Sequence, residues 1–203
     1  QAYIPFNHVI EGDYSSAAFL LAAAAITNSS VKITNLRRGT LQGDRKVIEV
    51  LQEMGSQVKT GEDYVEVLGA NQGLRGIEVD LRDTPDLVPV CAALACYAQG
   101  ETVIRGAGRL RFKESDRITS ISSELRKMGG KIMESKEGFI IEGGRLHGAE
   151  IDPHEDHRIA MACAVVALGA EGITTIHGIE CVDKSYPDFV KDLISLGGEV
   201  HVG

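Results

Sequence analysis

The sequence predicts an α/β fold of inside-out layering, a barrel-like domain with buried parallel helices in the middle and sheets outside. Three observations predict it. Ala-rich apolar runs recur three times, as SSAAFLLAAAAI (15–26), LVPVCAALACYA (87–98) and RIAMACAVVAL (158–168). Each is followed by a short β-like run: VKITNL (31–36), TVIRGAG (102–108) and TTIHGI (174–179). Each then leads to an amphipathic segment that stops on a glycine. Self-similarity at a fixed period marks repeated supersecondary units. The reading is one domain over 1–203, built of units at about 10–75, 76–147 and 148–203.

The Ala-rich runs are apolar on nearly all sides, so helices formed from them must be buried. The strands alternate instead. Val31, Ile33, Val65 and Val67 share one face, with Lys32, Thr34 and Glu66 between them, which leaves one face wet. Ile33, Ile104 and Ile176 hold matching places at spacings of 71 and 72 residues. The amphipathic segments VIEVLQEMG, ISSELRKMG and FVKDLISLG end at Gly55, Gly129 and Gly197, where a left-handed C-terminal residue is expected. Units one and two continue into strand pairs, SQVKTGEDYVEVLG and GKIMESKEGFIIEGG, each with a Gly-containing turn. Unit three stops at GGEVHVG with one strand, leaving a sheet edge that wants a partner. The chain opens on Gln1 and a strand-like stretch, AYIPFNHVIEGD, as a piece of a longer protein would.

Hydrophobic residues make up 43% and charged residues 25% of the 203, ordinary for a globular chain able to bury a core. The net charge of −8 argues against a nucleic-acid surface, which needs basic excess, but not against a small anion met by local cations. Cys91, Cys96, Cys163 and Cys181 form no CxxC pair and read as small buried hydrophobes in a reducing compartment. No apolar run reaches the roughly 20 residues of a membrane span, and no secretory signal is seen, so a cytoplasmic protein is expected. His147, His154, His157 and His177 lack metal-ligand spacing; no metal and no cofactor is expected.

Four segments could carry chemistry. Arg111-Phe-Lys113-Glu114-Ser-Asp116-Arg117 lies between a strand and a helix. It reads as a solvated turn capped by Ser115 or Asp116, except that Lys113 and Arg117 set two cations where the helix dipole favours anions. A bound anion would resolve that conflict. Glu155-Asp156-His157-Arg158 precedes the third apolar helix; Asp156 caps it, and the His-Arg pair needs a polar cleft or an outward path. Lys184-Ser-Tyr186-Pro187-Asp188 and Thr84-Pro85-Asp86 read as helix starts. The repeat joins them. Asp13, Asp86 and Asp156 stand at equivalent helix starts, as do Asp44, Glu114 and Lys184. Parallel helices would gather Lys113, Arg117, Arg158, Lys184, Asp86 and Glu114 on one face. Four cations and two acids there suit a phosphorylated small molecule and acid–base chemistry.

GDYSSAAFLLAAAAI, QGD (42–44), TPD (84–86), RFKESDR, EDHRIAMACAVVAL and DKSYPDF follow one another in the order and spacing of 5-enolpyruvylshikimate-3-phosphate synthases, and the chain resembles the C-terminal half of that family. The resemblance implies the inside-out enolpyruvyl transferase fold. It implies transfer of the enolpyruvyl group of phosphoenolpyruvate to the 5-hydroxyl of shikimate-3-phosphate by addition and elimination. It implies Asp86 as base beside that hydroxyl and Glu114 exchanging a proton at the methylene carbon. Lys113 would bridge the substrates. Arg117, Arg158 and Lys184 would hold the phosphate and carboxylate of phosphoenolpyruvate, with His157 beside them. Arg109 departs from the family, which commonly has a neutral or acidic residue there, so the shikimate contact of that position is not carried over. The partners implied are the two substrates and an absent N-terminal domain, in an enzyme that is a monomer when intact. UDP-N-acetylglucosamine enolpyruvyl transferase shares the chemistry; KESDR and DKSYPDF favour the shikimate enzyme. A non-catalytic repeat scaffold is the other alternative.

Overall fold

The computed structural model describes residues 4–70 and 72–203. The three Ala-rich runs form α1 (Tyr14–Ile26), α3 (Val88–Ala95) and α5 (His157–Ala167). Every residue of α3 is buried, and α1, α3 and α5 pack against one another. Ala at so many positions is what lets helix backbones come close, while Phe19, Leu21, Leu94 and Met161 fill the gaps. Each large side chain so buried contributes about 1.5–3 kcal/mol. The α-helix of the second run is shorter than 87–98, because Pro85–Leu87 is a 3₁₀ turn and the end unwinds after Ala95.

The amphipathic segments form α2 (Val47–Glu53), α4 (Arg117–Lys127) and α6 (Phe189–Ser195). Gly55, Gly129 and Gly197 follow them with φ of 98°, 91° and 95°, the left-handed region where a Cβ is strained. α4 starts at Arg117 because the Asp116 side chain, one of the two caps expected from the sequence, accepts from Thr119 N–H at 3.2 Å.

The strands form three sheets among the described residues. β1 (Val31–Thr34), β2 (Val58–Thr60) and β3 (Tyr64–Val67) pair antiparallel in the order β1-β3-β2. Val31 faces Val67 and Ile33 faces Val65, so the apolar residues do share one face; on the other, Lys32 lies 4.0 Å over the Tyr64 ring. β4 (Glu78–Asp80), β5 (Glu101–Arg105), β6 (Lys131–Ser135) and β7 (Gly138–Glu142) form a sheet ordered β4-β5-β7-β6, with β4 parallel to β5. β8 (Glu150–Ile151) and β9 (Thr175–Ile176) form a parallel pair. The two parallel ladders keep the same register 72 residues apart: Val79 faces Ile104, and Ile151 faces Ile176. Bridges Arg75–Gln99 and His147–Glu171 extend both ladders at that same offset.

Two stretches expected as strands form none among the described residues. Gln1 and the Ala2–Tyr3 start of the first lie outside the described residues, and residues 4–13 run without a ladder, with Ile4, Phe6, Val9 and Ile10 exposed. Bonds to the residue that follows β1, such as Asn35 Nδ2–H to the Ile10 carbonyl (3.0 Å), hold this stretch instead. GGEVHVG likewise has no ladder partner among the described residues and forms no strand. No helix among the described residues is long and apolar enough to cross a membrane.

Candidate active site

All the singled-out charged groups stand where a helix begins. Asp86 is in the 3₁₀ turn that leads into α3. Lys113 and Glu114 lie between the 3₁₀ turn Gly108–Phe112 and α4, and Arg117 is the first residue of α4. His157 and Arg158 open α5 behind the Asp156 cap, whose carboxylate accepts from Arg158 N–H at 3.0 Å. Lys184 ends the 3₁₀ turn Ile179–Lys184 before α6.

These starts are cross-linked at one end of the helix cluster, with Arg117 as the hub. Its side chain is 1% exposed, and its three nitrogens donate to three carboxylates. Nε donates to Asp156 at 2.7 Å, Nη1 to Asp86 at 2.9 Å and Nη2 to Glu114 at 2.6 Å. Asp86 also accepts from Arg158 Nη2 at 3.1 Å, and Lys113 Nζ stands 3.7 Å from it. Glu114 accepts from Lys184 Nζ at 2.9 Å. Arg117, Arg158 and Lys184 are thus bridged through two acids. A buried guanidinium is stable only when paired this fully. Exposure rises outward, from 10% for the Arg158 side chain to 35% for Lys113 and 57% for Lys184. The outer cations are the ones an arriving anion meets first.

The electrostatics follow from this wiring. The Lys184 hydrogen bond, reinforced by the charges of Arg117 and Lys184, holds the Glu114 carboxyl down at about 2. Burial lowers the His157 imidazole, and the neighbouring Arg158 charge lowers it further. His157 is itself buried, with Nδ1 4.0 Å from Asp156 Oδ1; among the described residues neither His157 Nδ1 nor Arg158 Nε has a hydrogen-bond partner. The outward path open to this His-Arg pair from sequence is not taken. Burial pushes the Asp44 carboxyl up; Ser15 Oγ, which donates to it, opposes the rise, and the charge of Asp86 adds to it.

Asp156 is the residue whose importance the sequence understates. It is fully buried and joins α5 to Arg117 and, at 3.1 Å, to Ser115 Oγ. Its place equivalent to Asp13 and Asp86 marks a cap, but its bond to Arg117 spans 39 residues and leaves no local signature. Arg109 stands apart, lining a groove of about 600 Å³ with Arg82, Arg105 and Glu137.

Helix starts that present interlocked cations and acids, on an α/β framework of this topology, define a protein with the enolpyruvyl transferase fold. The EPSP synthase from Acinetobacter baumannii superposes with a TM-score of 0.83 at 32% identity, over 96% of this chain and 48% of its own. The enolpyruvyl transferase NikO from Streptomyces tendae, at 22% identity and a TM-score of 0.73 over 95% of this chain and 44% of its own, shares the fold. Residues 1–193 match the profile of EPSP synthase (3-phosphoshikimate 1-carboxyvinyltransferase), and the chain belongs to that family. A 3-phosphoshikimate 1-carboxyvinyltransferase of Methanocella arvoryzae is 49% identical over 202 residues, and one of Methanocaldococcus jannaschii 43% over 203. Both alignments cover 100% of this chain but only 48% and 47% of the relatives, so the chain spans about half their length.

Proposed function

We propose that this chain forms one wall of the active site of a 3-phosphoshikimate 1-carboxyvinyltransferase, which moves the enolpyruvyl group of phosphoenolpyruvate to the 5-hydroxyl of shikimate-3-phosphate and releases phosphate. The observation that carries the reading is that one buried guanidinium, Arg117, holds two carboxylates, Asp86 and Glu114, beside three further cations. The reaction needs that combination. The hydroxyl oxygen bonds to C2 of phosphoenolpyruvate as its proton leaves, and C3 gains a proton. The adduct then loses phosphate while C3 gives a proton back. Asp86 takes the hydroxyl proton and Glu114 serves C3 in both steps.

Arg158, Lys184 and the remaining N–H groups of Arg117 hold phosphate and carboxylate, His157 stands beside them, and Lys113 bridges the two substrates. Phosphate that draws Lys184 away also removes the main cause of the low Glu114 pKa, and so brings that carboxyl toward a range where it can deliver a proton. The domain is read as one body over 1–203, with three inside-out units at about 10–75, 76–147 and 148–203 around parallel buried helices. The 72-residue offset between the two parallel ladders supports this. The second wall comes from the part of the relatives that this chain does not cover, in a monomeric cytoplasmic enzyme without nucleic-acid or membrane partners.

The test is phosphate release by the chain combined with that complementary part. Asp86→Asn and Glu114→Ala are each expected to slow it by roughly 10²–10⁴, the usual worth of a general acid or base. A rate close to the parent's in either variant overturns that residue's role.

A further inference from the structure

The turn that delivers Asp156 is held from behind by residues that are not bonded to the cations of the site. Between β8 and α5, His154 and Glu155 both lie in the left-handed region, at φ of 55° and 56°. Successive residues other than glycine stay there only where their surroundings hold them. Here the holder is Glu124 of α4, a fully buried residue. Its Oε1 lies 3.0 Å from His154 Nε2, and its Oε2 accepts from Asp152 N–H at 3.0 Å and Lys127 Nζ at 2.6 Å. The turn also closes on itself, through His154 N–H to Asp152 Oδ1 at 2.8 Å and Asp156 N–H to the Pro153 carbonyl at 2.9 Å. Glu124 and Arg117 are two turns apart on α4 and so share a face. One helix therefore grips the turn at both ends, by Glu124 behind and by Arg117, through Asp156, in front.

We propose that Glu124 and His154 are positioning residues, which fix the left-handed turn so that Asp156 meets Arg117 and Arg117 in turn holds Asp86 and Glu114. The consequence for anion binding rests on the function proposed above; the positioning itself does not. A neutral imidazole is enough, since Nε2–H can donate to Glu124 in either charge state. The arrangement is a brace, not a switch.

Two readings on the 203-residue chain separate the parts: hydrogen exchange of the Arg117 Nε–H by NMR, and titration with inorganic phosphate. In the parent, that proton is buried in a 2.7 Å bond and exchanges slowly. His154→Leu is expected to speed its exchange by about an order of magnitude or more and to weaken phosphate binding several-fold. His154→Gln, whose amide can donate in place of Nε2–H, restores both. The His154 side chain is 38% exposed, so its loss opens no core cavity, and His154→Gly, which also relieves the backbone, gives a second folded variant lacking the ring. Unchanged Arg117 exchange in both His154→Leu and His154→Gly overturns the proposal. Exchange that responds as expected in a chain that binds no phosphate leaves the brace standing and removes the anion-site reading.

Discussion

Arg117 Nε and Asp156 Oδ2 meet at 2.7 Å between side chains that are 1% and 0% exposed, which makes the centre of the site a buried ion pair. Removing one partner of such a pair strands the other charge in the interior. Asp156→Ala is expected to lower the unfolding free energy by about 3–5 kcal/mol in urea denaturation. A loss below about 1 kcal/mol, the worth of a surface pair, would contradict the burial argument.

Lys184 should control the titration of Glu114. The folded pKa of about 2 lies below the ordinary 4.5, so the pair's contribution to stability is present above 4.5 and is lost as pH falls from there through 2. In Lys184→Met the carboxyl resonance should titrate higher, moving from about 2 toward 4.5, and the acid loss of stability over that window should shrink. An unmoved carboxyl titration would mean that Arg117 alone sets the value.

Phosphate binding should depend on the cations paired with Asp86. Arg158→Gln is expected to weaken inorganic phosphate roughly tenfold, about 1.4 kcal/mol, with a smaller change for Lys113→Gln because Lys113 is held more loosely. Chemical-shift titration reads both. Equal affinity in the parent and Arg158→Gln would mean that phosphate does not contact this cluster.

The repeat makes a paired prediction. A Cβ at Gly76 would stand 2.1 Å from the Glu101 carbonyl oxygen, and one at Gly148 would stand 2.0 Å from that of Ile173. Gly76→Ala and Gly148→Ala should each cost about 1–3 kcal/mol by forcing the same parallel ladder apart. If one is tolerated and the other is not, the two ladders are not equivalent units.

What the sequence made legible was periodic or local. Ala-rich helices, alternating strands and C-terminal glycines all write their position into a few neighbouring residues, and so does the cap at Asp156. That charged groups would cluster could be anticipated because the repeat put Asp13, Asp86 and Asp156 at one set of equivalent helix starts and Asp44, Glu114 and Lys184 at another. The wiring could not. That Arg117 binds three acids, from 3 to 39 residues away, depends on how α3, α4 and α5 meet. The described part of AYIPFNHVIEGD, and GGEVHVG, form no strand for a related reason: alternation marks a chain that can join a sheet, and pairing needs a partner strand that local sequence does not supply.

As one wall of the proposed cleft, this chain is not expected to turn over by itself. Much of the acceleration of an addition between two substrates comes from holding them together, and one wall cannot do that. Without the facing wall, water also weakens the pull of Arg158 and Lys184 on phosphate. Phosphate release from phosphoenolpyruvate and shikimate-3-phosphate, followed with the 203-residue chain alone and then with the complementary half of its relatives added, measures this directly. The expected result is no turnover alone and turnover on addition, lost again in Glu114→Ala. Glu114-dependent release by the chain on its own would contradict it.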